Sequence, residues 1–125
     1  MAAPVSPIIY TDIEAQRVLV QQKIQEYFPE DGLSQTMITI ANCESTGLIH
    51  WQEDGTLLPH STGASSSAGV FQVLLKYHAD QIQAMGLDMQ DIDDYMTFVR
   101  QLYNEARLHP WDASASCWGT RIAQN

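Results

Sequence analysis

Apolar positions recur with helical spacing in four stretches of the chain. From Asp12 to Phe28, the residues Ile13, Leu19, Val20, Ile24, Tyr27 and Phe28 fit one helix, with Thr11 as its expected N-cap and Pro29 and Gly32 as its stop. A second helix is expected after Ser34. There Met37, Ile38, Ile40 and Ala41 form a dense apolar stripe, which predicts a central, buried helix. It should end near Glu44–Ser45, because Gly47 supplies a C-terminal break. Val70 to Met85 reads as a third helix ending at Gly86. Asp91 caps a fourth that runs to about Arg107, with Ile92, Tyr95, Met96, Val99, Leu102 and Tyr103 on a shared face.

The intervening segments have other patterns. Residues 48–60, LIHWQEDGTLLPH, place Asp54-Gly55 between two apolar-containing arms, which predicts a β-hairpin. Residues 61–69, STGASSSAG, read as a functional loop or tight turn of small residues. Residues 1–11 form an extended lead, and residues 12–125 one domain. The tail PWDASASCWG carries two tryptophans and a cysteine, so it should dock on the core. The expected fold class is α+β, mainly α, with a small hairpin and no internal repeat.

Composition narrows the function. With 125 residues, 45% hydrophobic and 17% charged, the chain has the make-up of one ordinary globular domain. No run approaches the roughly 18 apolar residues of a membrane span, and the N-terminus lacks the basic and apolar regions of a signal peptide. Met1 before Ala-Ala-Pro therefore reads as a start placed on a mature or excised domain. Six Lys and Arg against 15 Asp and Glu give a formal net charge of −9. Such a field disfavours nucleic acid and anionic membranes. Cys43 and Cys117 are either free and buried or one disulfide, and a disulfide would imply an oxidising compartment. The histidines are scattered and no Cys or His spacing suits zinc.

Glu44 is the carboxylate best placed for chemistry. It ends an apolar helix, at the negative end of the helix dipole, with few basic neighbours in sequence. All three conditions raise a carboxyl pKa, and a carboxylic acid still protonated near neutral pH suits general-acid cleavage of a glycosidic bond. The alternative is a helix-end glutamate pointing into water.

Ala41-Asn42-Cys43-Glu44-Ser45-Thr46-Gly47 resembles the end of the catalytic helix in the lysozyme-like superfamily, in its soluble lytic transglycosylase and goose-type lysozyme branch. Ala68-Gly69-Val70-Phe71-Gln72-Val73 resembles that family's Gly-Leu-Met-Gln turn. Asp94 to Tyr103 resembles the later helix beside the cleft. The tail from Pro110 to Gly119 is similar to the ending of small bacterial members with a Cys-Glu-Ser motif. The resemblance spans residues 34–119.

The resemblance implies a lysozyme-like catalytic domain with Glu44 as its acid. It implies Gln72 in the substrate cleft, unless its amide instead pins the turn from the core side. It implies Gly69 where the backbone approaches a sugar, unless it is an ordinary turn glycine. Ser65 would line the site, in competition with Ser66 and Ser67. Tyr95 and Tyr103 are the candidates for the tyrosine facing the reacting sugar, against a core role. Trp51 or His50 would touch glycan from the hairpin, or Trp51 would be hairpin core. A Cys43–Cys117 disulfide would tie the catalytic helix to the tail. The chain departs from the family in its longer interval between Glu44 and Gln72, which the hairpin fills, and in lacking the late Ala-Tyr-Asn-Ala-Gly segment.

The resemblance thus implies a peptidoglycan-cleaving enzyme that needs no metal and no cofactor. A lytic transglycosylase manages with one glutamate, whereas glycosidases commonly add a second carboxylate, for which Glu53 and Asp54 are available. The expected partner is peptidoglycan, with no nucleic acid and no membrane insertion. The expected place is secreted, periplasmic or facing the cell envelope, alone or within a larger envelope protein. A non-catalytic glycan-binding module, using Trp51, Tyr77, Tyr95, Trp111 and Trp118 to stack on sugars, and a disulfide-stapled interaction module are the rival readings.

Overall fold

In a computed structural model that describes residues 5–63 and 65–123, the chain is mainly helical with a small antiparallel sheet. Helices α1 (Ile13–Tyr27), α2 (Leu33–Ser45), α3 (Ala79–Ala84), α4 (Ile92–Ala106) and α5 (Ala115–Ala123) surround strands β1 (Ser67–Ala68) and β2 (Val73–Leu74). No helix among the described residues is long and apolar enough to cross a membrane.

Helix α1 is capped one residue later than its pattern predicts: the Asp12 side chain, rather than Thr11, accepts the Ala15 N–H at 3.1 Å. A carboxylate at this position meets an orphan N–H and the positive end of the dipole together. Asp91 caps α4 as expected, accepting from Asp93 and Asp94 N–H. Ile92, Tyr95, Met96, Val99 and Leu102 are buried along one face of α4, where they meet Val20 and Ile24 of α1, Phe28 just after it, and Met37, Ile40 and Ala41 of α2 in one core. Burying each such side chain stabilises the fold by roughly 1.5–3 kcal/mol.

Three expectations need correction. Residues 70–85 are not one helix: only Ala79–Ala84 is helical, and Val73–Leu74 instead pairs with Ser67–Ala68. The expected 48–60 hairpin is present but shorter than its span: Leu58 N–H donates to the His50 carbonyl at 2.9 Å and Gln52 N–H to the Thr56 carbonyl at 2.8 Å around the single Trp51–Leu57 bridge, and a further bridge joins Pro59 to Ala68. Leu58 explains this, because its carbonyl accepts from Gly69 N–H at 2.8 Å and from the Gln72 amide at 3.2 Å. Across the arms, the His50 and Trp51 N–H groups are both taken by Gln16 Oε1 at 2.6 and 2.9 Å. The segment therefore closes on itself near its tip and is shared with its neighbours beyond it. Finally, the lead is not wholly extended: Pro7–Tyr10 forms a turn of 3-10 helix, and Tyr10 packs edge-on against Trp51. The first four residues of the lead, and residues 124–125 of the domain, lie outside the described residues.

The tail docks as its tryptophans predict. A 3-10 turn at His109–Ser114 leads into α5, and Trp111 and Trp118 are both buried. A disulfide joins Cys43 of α2 to Cys117 of α5. Such a bond is what an oxidising compartment permits.

Candidate active site

The chain reverses sharply after Glu44. Thr46, Gly47 and Leu48 all have positive φ, at 53°, 108° and 63°. Two of these are not glycine, and such a conformation costs about 1–3 kcal/mol at each. Local bonds hold it. Ser45 Oγ donates to Ala41 carbonyl at 2.8 Å and accepts the Ile49 N–H at 3.1 Å, and Arg17 Nε donates to the Gly47 carbonyl at 2.8 Å. This reversal brings residues 50–51 back beside α1 and leaves Glu44 at the open end of α2.

Glu44 is half-buried. Burial pushes its carboxyl above the ordinary value, and a hydrogen bond from Ser114 Oγ to Oε2 at 3.1 Å and the charge of His60 pull back without overcoming it. No cationic side chain among the described residues forms an ion pair with it. Cys43, the preceding residue, is covalently tied to α5, so the Glu44 backbone is anchored on both sides.

The 68–72 turn is held by two buried polar side chains. Tyr95 Oη donates to the Ala68 carbonyl at 2.7 Å and accepts the Phe71 N–H at 3.0 Å. His50 Nδ1 accepts the Val70 N–H at 2.9 Å. That bond puts the imidazole hydrogen on Nε2, which finds no partner among the described residues. Burial drives the His50 pKa down to about 3, so the ring stays neutral. Gly69, at φ 78°, lies flat on Tyr95: a Cβ there would come within 2.6 Å of the ring. Only glycine fits that approach. A hydrogen-bonded chain then links the turn to the acid. Trp111 Nε1 donates to the Phe71 carbonyl at 3.2 Å, and Ser114 Oγ lies 3.2 Å from the Trp111 carbonyl and 3.1 Å from Glu44.

The other candidates fall in different places. Gln72, at φ 51°, turns its amide onto the Leu58 and Gly69 carbonyls at 3.2 and 3.0 Å, which is the turn-pinning arrangement. It also lines a groove of about 490 Å³ with Phe71, Tyr77, Glu105 and Trp111. Tyr77 is 80% exposed there, whereas Glu44 is not among the lining residues. Ser65 is exposed and bonds Ser67 Oγ at 2.8 Å. Trp51 is buried between Tyr10 and His50 and presents no free face. Tyr103 packs on Phe28 and beside Arg100 and Arg107, and shares a pocket with Thr36 near the opposite end of α2 from Glu44. Glu53 and Asp54 are exposed at a loop tip, where Thr56 holds the Asp54 carboxyl below its ordinary value. Among the described residues no cluster of three His, Cys, Asp or Glu side chains could hold a metal.

Ser114 is the residue that sequence reasoning misses. The signal for it exists only if the disulfide is assumed: Cys43 adjoins Glu44, and Ser114 precedes Cys117 by one helical turn. Comparison with family models, with curated proteins and with solved structures gives no match.

Proposed function

We propose that this chain cleaves the glycan strands of peptidoglycan as a lytic transglycosylase, with Glu44 as its acid and then its base. One observation carries the reading: a half-buried carboxyl at the end of the central helix, raised by desolvation and met, among the described residues, by one hydroxyl and no paired cation. The resemblance over residues 34–119 supplies the substrate class. Glu44 protonates the glycosidic oxygen between N-acetylmuramic acid and N-acetylglucosamine, and the C1–O bond breaks. The substrate's acetamido group stabilises the positive charge left at C1. The Glu44 carboxylate then takes the proton of the muramyl 6-hydroxyl as its oxygen bonds to C1, which closes a 1,6-anhydro ring and restores the acid. With its disulfide, the domain belongs outside the cytoplasm, facing the cell envelope.

The test is mass spectrometry of muropeptides released from purified sacculi by wild type and by Glu44→Gln. Wild type should release anhydromuramyl products, and Glu44→Gln should release about 10³-fold less while keeping its fold. Reducing-end muramic acid would replace the intramolecular hydroxyl by water and make the chain a goose-type hydrolytic lysozyme. Binding to sacculi without release by either protein would leave a glycan-binding module.

A further inference from the structure

Three groups converge on Ser114 Oγ. The Trp118 indole N–H donates to it at 3.0 Å, Glu44 Oε2 lies at 3.1 Å, and the Trp111 carbonyl lies at 3.2 Å. The same indole N–H reaches the Trp111 carbonyl at 3.2 Å, so a buried ring fixes both the hydroxyl and its alternative acceptor. A serine hydroxyl has one hydrogen and two lone pairs. Trp118 occupies a lone pair, and the one hydrogen has two acceptors to choose between. Charge decides the choice, because a hydrogen bond to a carboxylate is roughly twice as strong as one to a neutral oxygen.

We propose that Ser114 is a positioning residue that fixes which oxygen of Glu44 carries the proton and steadies the carboxylate once that proton has left. The inference rests on Glu44 being the acid. Donation to Oε2 makes that oxygen an acceptor and puts the acid proton on Oε1, which no described residue hydrogen-bonds. When Oε1 releases its proton, the charge spreads onto Oε2 and the Ser114 bond strengthens. When the proton returns to Oε1, the hydroxyl is again shared with the Trp111 carbonyl. Only its O–H direction changes, and no proton leaves Ser114. The bond is strongest in the charged state, so it opposes a burial that by itself would hold the proton too tightly.

The surrounding charges leave this role to Ser114. His60, in the loop before β1, and Tyr95 of α4 are in electrostatic reach of Glu44. On the 3-10 turn, His109 and Asp112 pair with each other at 3.1 Å. Arg121 of α5 faces Cys43 Sγ at 3.9 Å, and Arg17 of α1 is held by the Gly47 carbonyl and Glu14.

The experiment compares wild type with Ser114→Ala and Ser114→Thr in the full chain. Carbon-13 NMR follows the Glu44 carboxyl titration, and a pH–rate profile is taken on purified sacculi. Ser114→Ala should move the Glu44 titration upward and the profile with it. Turnover should fall about ten- to a hundredfold, as expected for losing a hydrogen bond to a charged group, with KM little changed. Ser114→Thr keeps the hydroxyl and should restore the titration and most of the turnover. If the alanine variant unfolds, Trp118→Phe takes its place: it removes the fixed donor, and should shift the titration the same way with a smaller loss. An unmoved titration and profile in Ser114→Ala, or a threonine variant as impaired as alanine, overturns the proposal. The titration needs no activity. A shift in a protein that cleaves no glycan keeps the role of Ser114 and removes the proposed function, and cleavage with an unmoved titration does the reverse.

Discussion

Asp93 and Glu44 are both carboxylates drawn partly out of water, one at the α1–α4 interface and one where α2 meets the tail. Burial pushes both upward in pKa. At Asp93 the push is outweighed: Lys23 Nζ lies 2.8 Å and Tyr27 Oη 2.9 Å from Oδ1, and the carboxyl ends below its ordinary value. At Glu44 only Ser114 and the more distant His60 oppose it, and the carboxyl ends above. The helix dipole adds to each outcome, since Asp93 lies in the first turn of α4 and Glu44 in the last turn of α2. Depth, partners and helix end together decide whether a carboxyl is held below its ordinary pKa or above it.

The two regions also differ in what fastens them. The α1–α4 interface is held by packing and by the Lys23–Asp93 pair, and the α2–α5 interface by a covalent bond. Cys43→Ala with Cys117→Ala should therefore cost about 4 kcal/mol of stability, a fall of roughly 15 °C in Tm by calorimetry. Hydrogen exchange should show the added opening in α5 and the end of α2. Equal loss of protection in α1 and α4 would break the distinction.

Acid separates the sites next. Unfolded, His50 takes up a proton below its ordinary value of 6.5, whereas folded it refuses one until about pH 3. Stability should therefore fall as pH drops from about 6.5 to 4, by about 1.4 kcal/mol per pH unit from this one group. Asp93, held low in the fold, adds its loss only at still lower pH. Glu44 works the other way, since its raised pKa makes protonation favour the folded state. Denaturant unfolding of His50→Asn across this range should lose that part of the slope, and an unchanged slope would exclude His50 as its source.

A smaller effect would make one region resemble the other. Lys23→Met leaves Asp93 with only the Tyr27 hydroxyl, much as Glu44 has only Ser114. The Asp93 titration, followed by NMR, should rise, and stability at neutral pH should fall by about 1–2 kcal/mol. The smallest effect comes from the whole-molecule charge of −9, which repels an anionic substrate from both regions alike. Glycan release should rise severalfold as salt is raised from about 50 to 150 mM, as screening shortens the reach of that field. A steep fall would contradict it.

What was legible in the sequence follows from how local each signal is. The faces of α1, α2 and α4, the Asp91 cap and the docking of Trp111 and Trp118 are written in spacing and side-chain type. Glu44 was legible because its position at a helix end is itself local. The sheet was not, since Val73–Leu74 reads as a helical apolar run until Ser67–Ala68 is found across from it. The hairpin stays short because Gln16, over thirty residues upstream, takes the His50 N–H and Gly69 takes up the Leu58 carbonyl. Tyr95 and Ser114 gain their roles only from neighbours brought by the fold, the one holding a turn and the other a carboxyl.

The disulfide has a topological consequence. The chain between Cys43 and Cys117 is a closed covalent ring, and Glu44, Gly69, Gln72, Tyr95 and Ser114 all lie on it. A protease that cuts the exposed loop at 61–63 opens the ring without releasing a fragment. The product is a two-chain molecule whose acid, turn and tail still share one covalent frame. A domain built this way can be nicked once and remain one molecule.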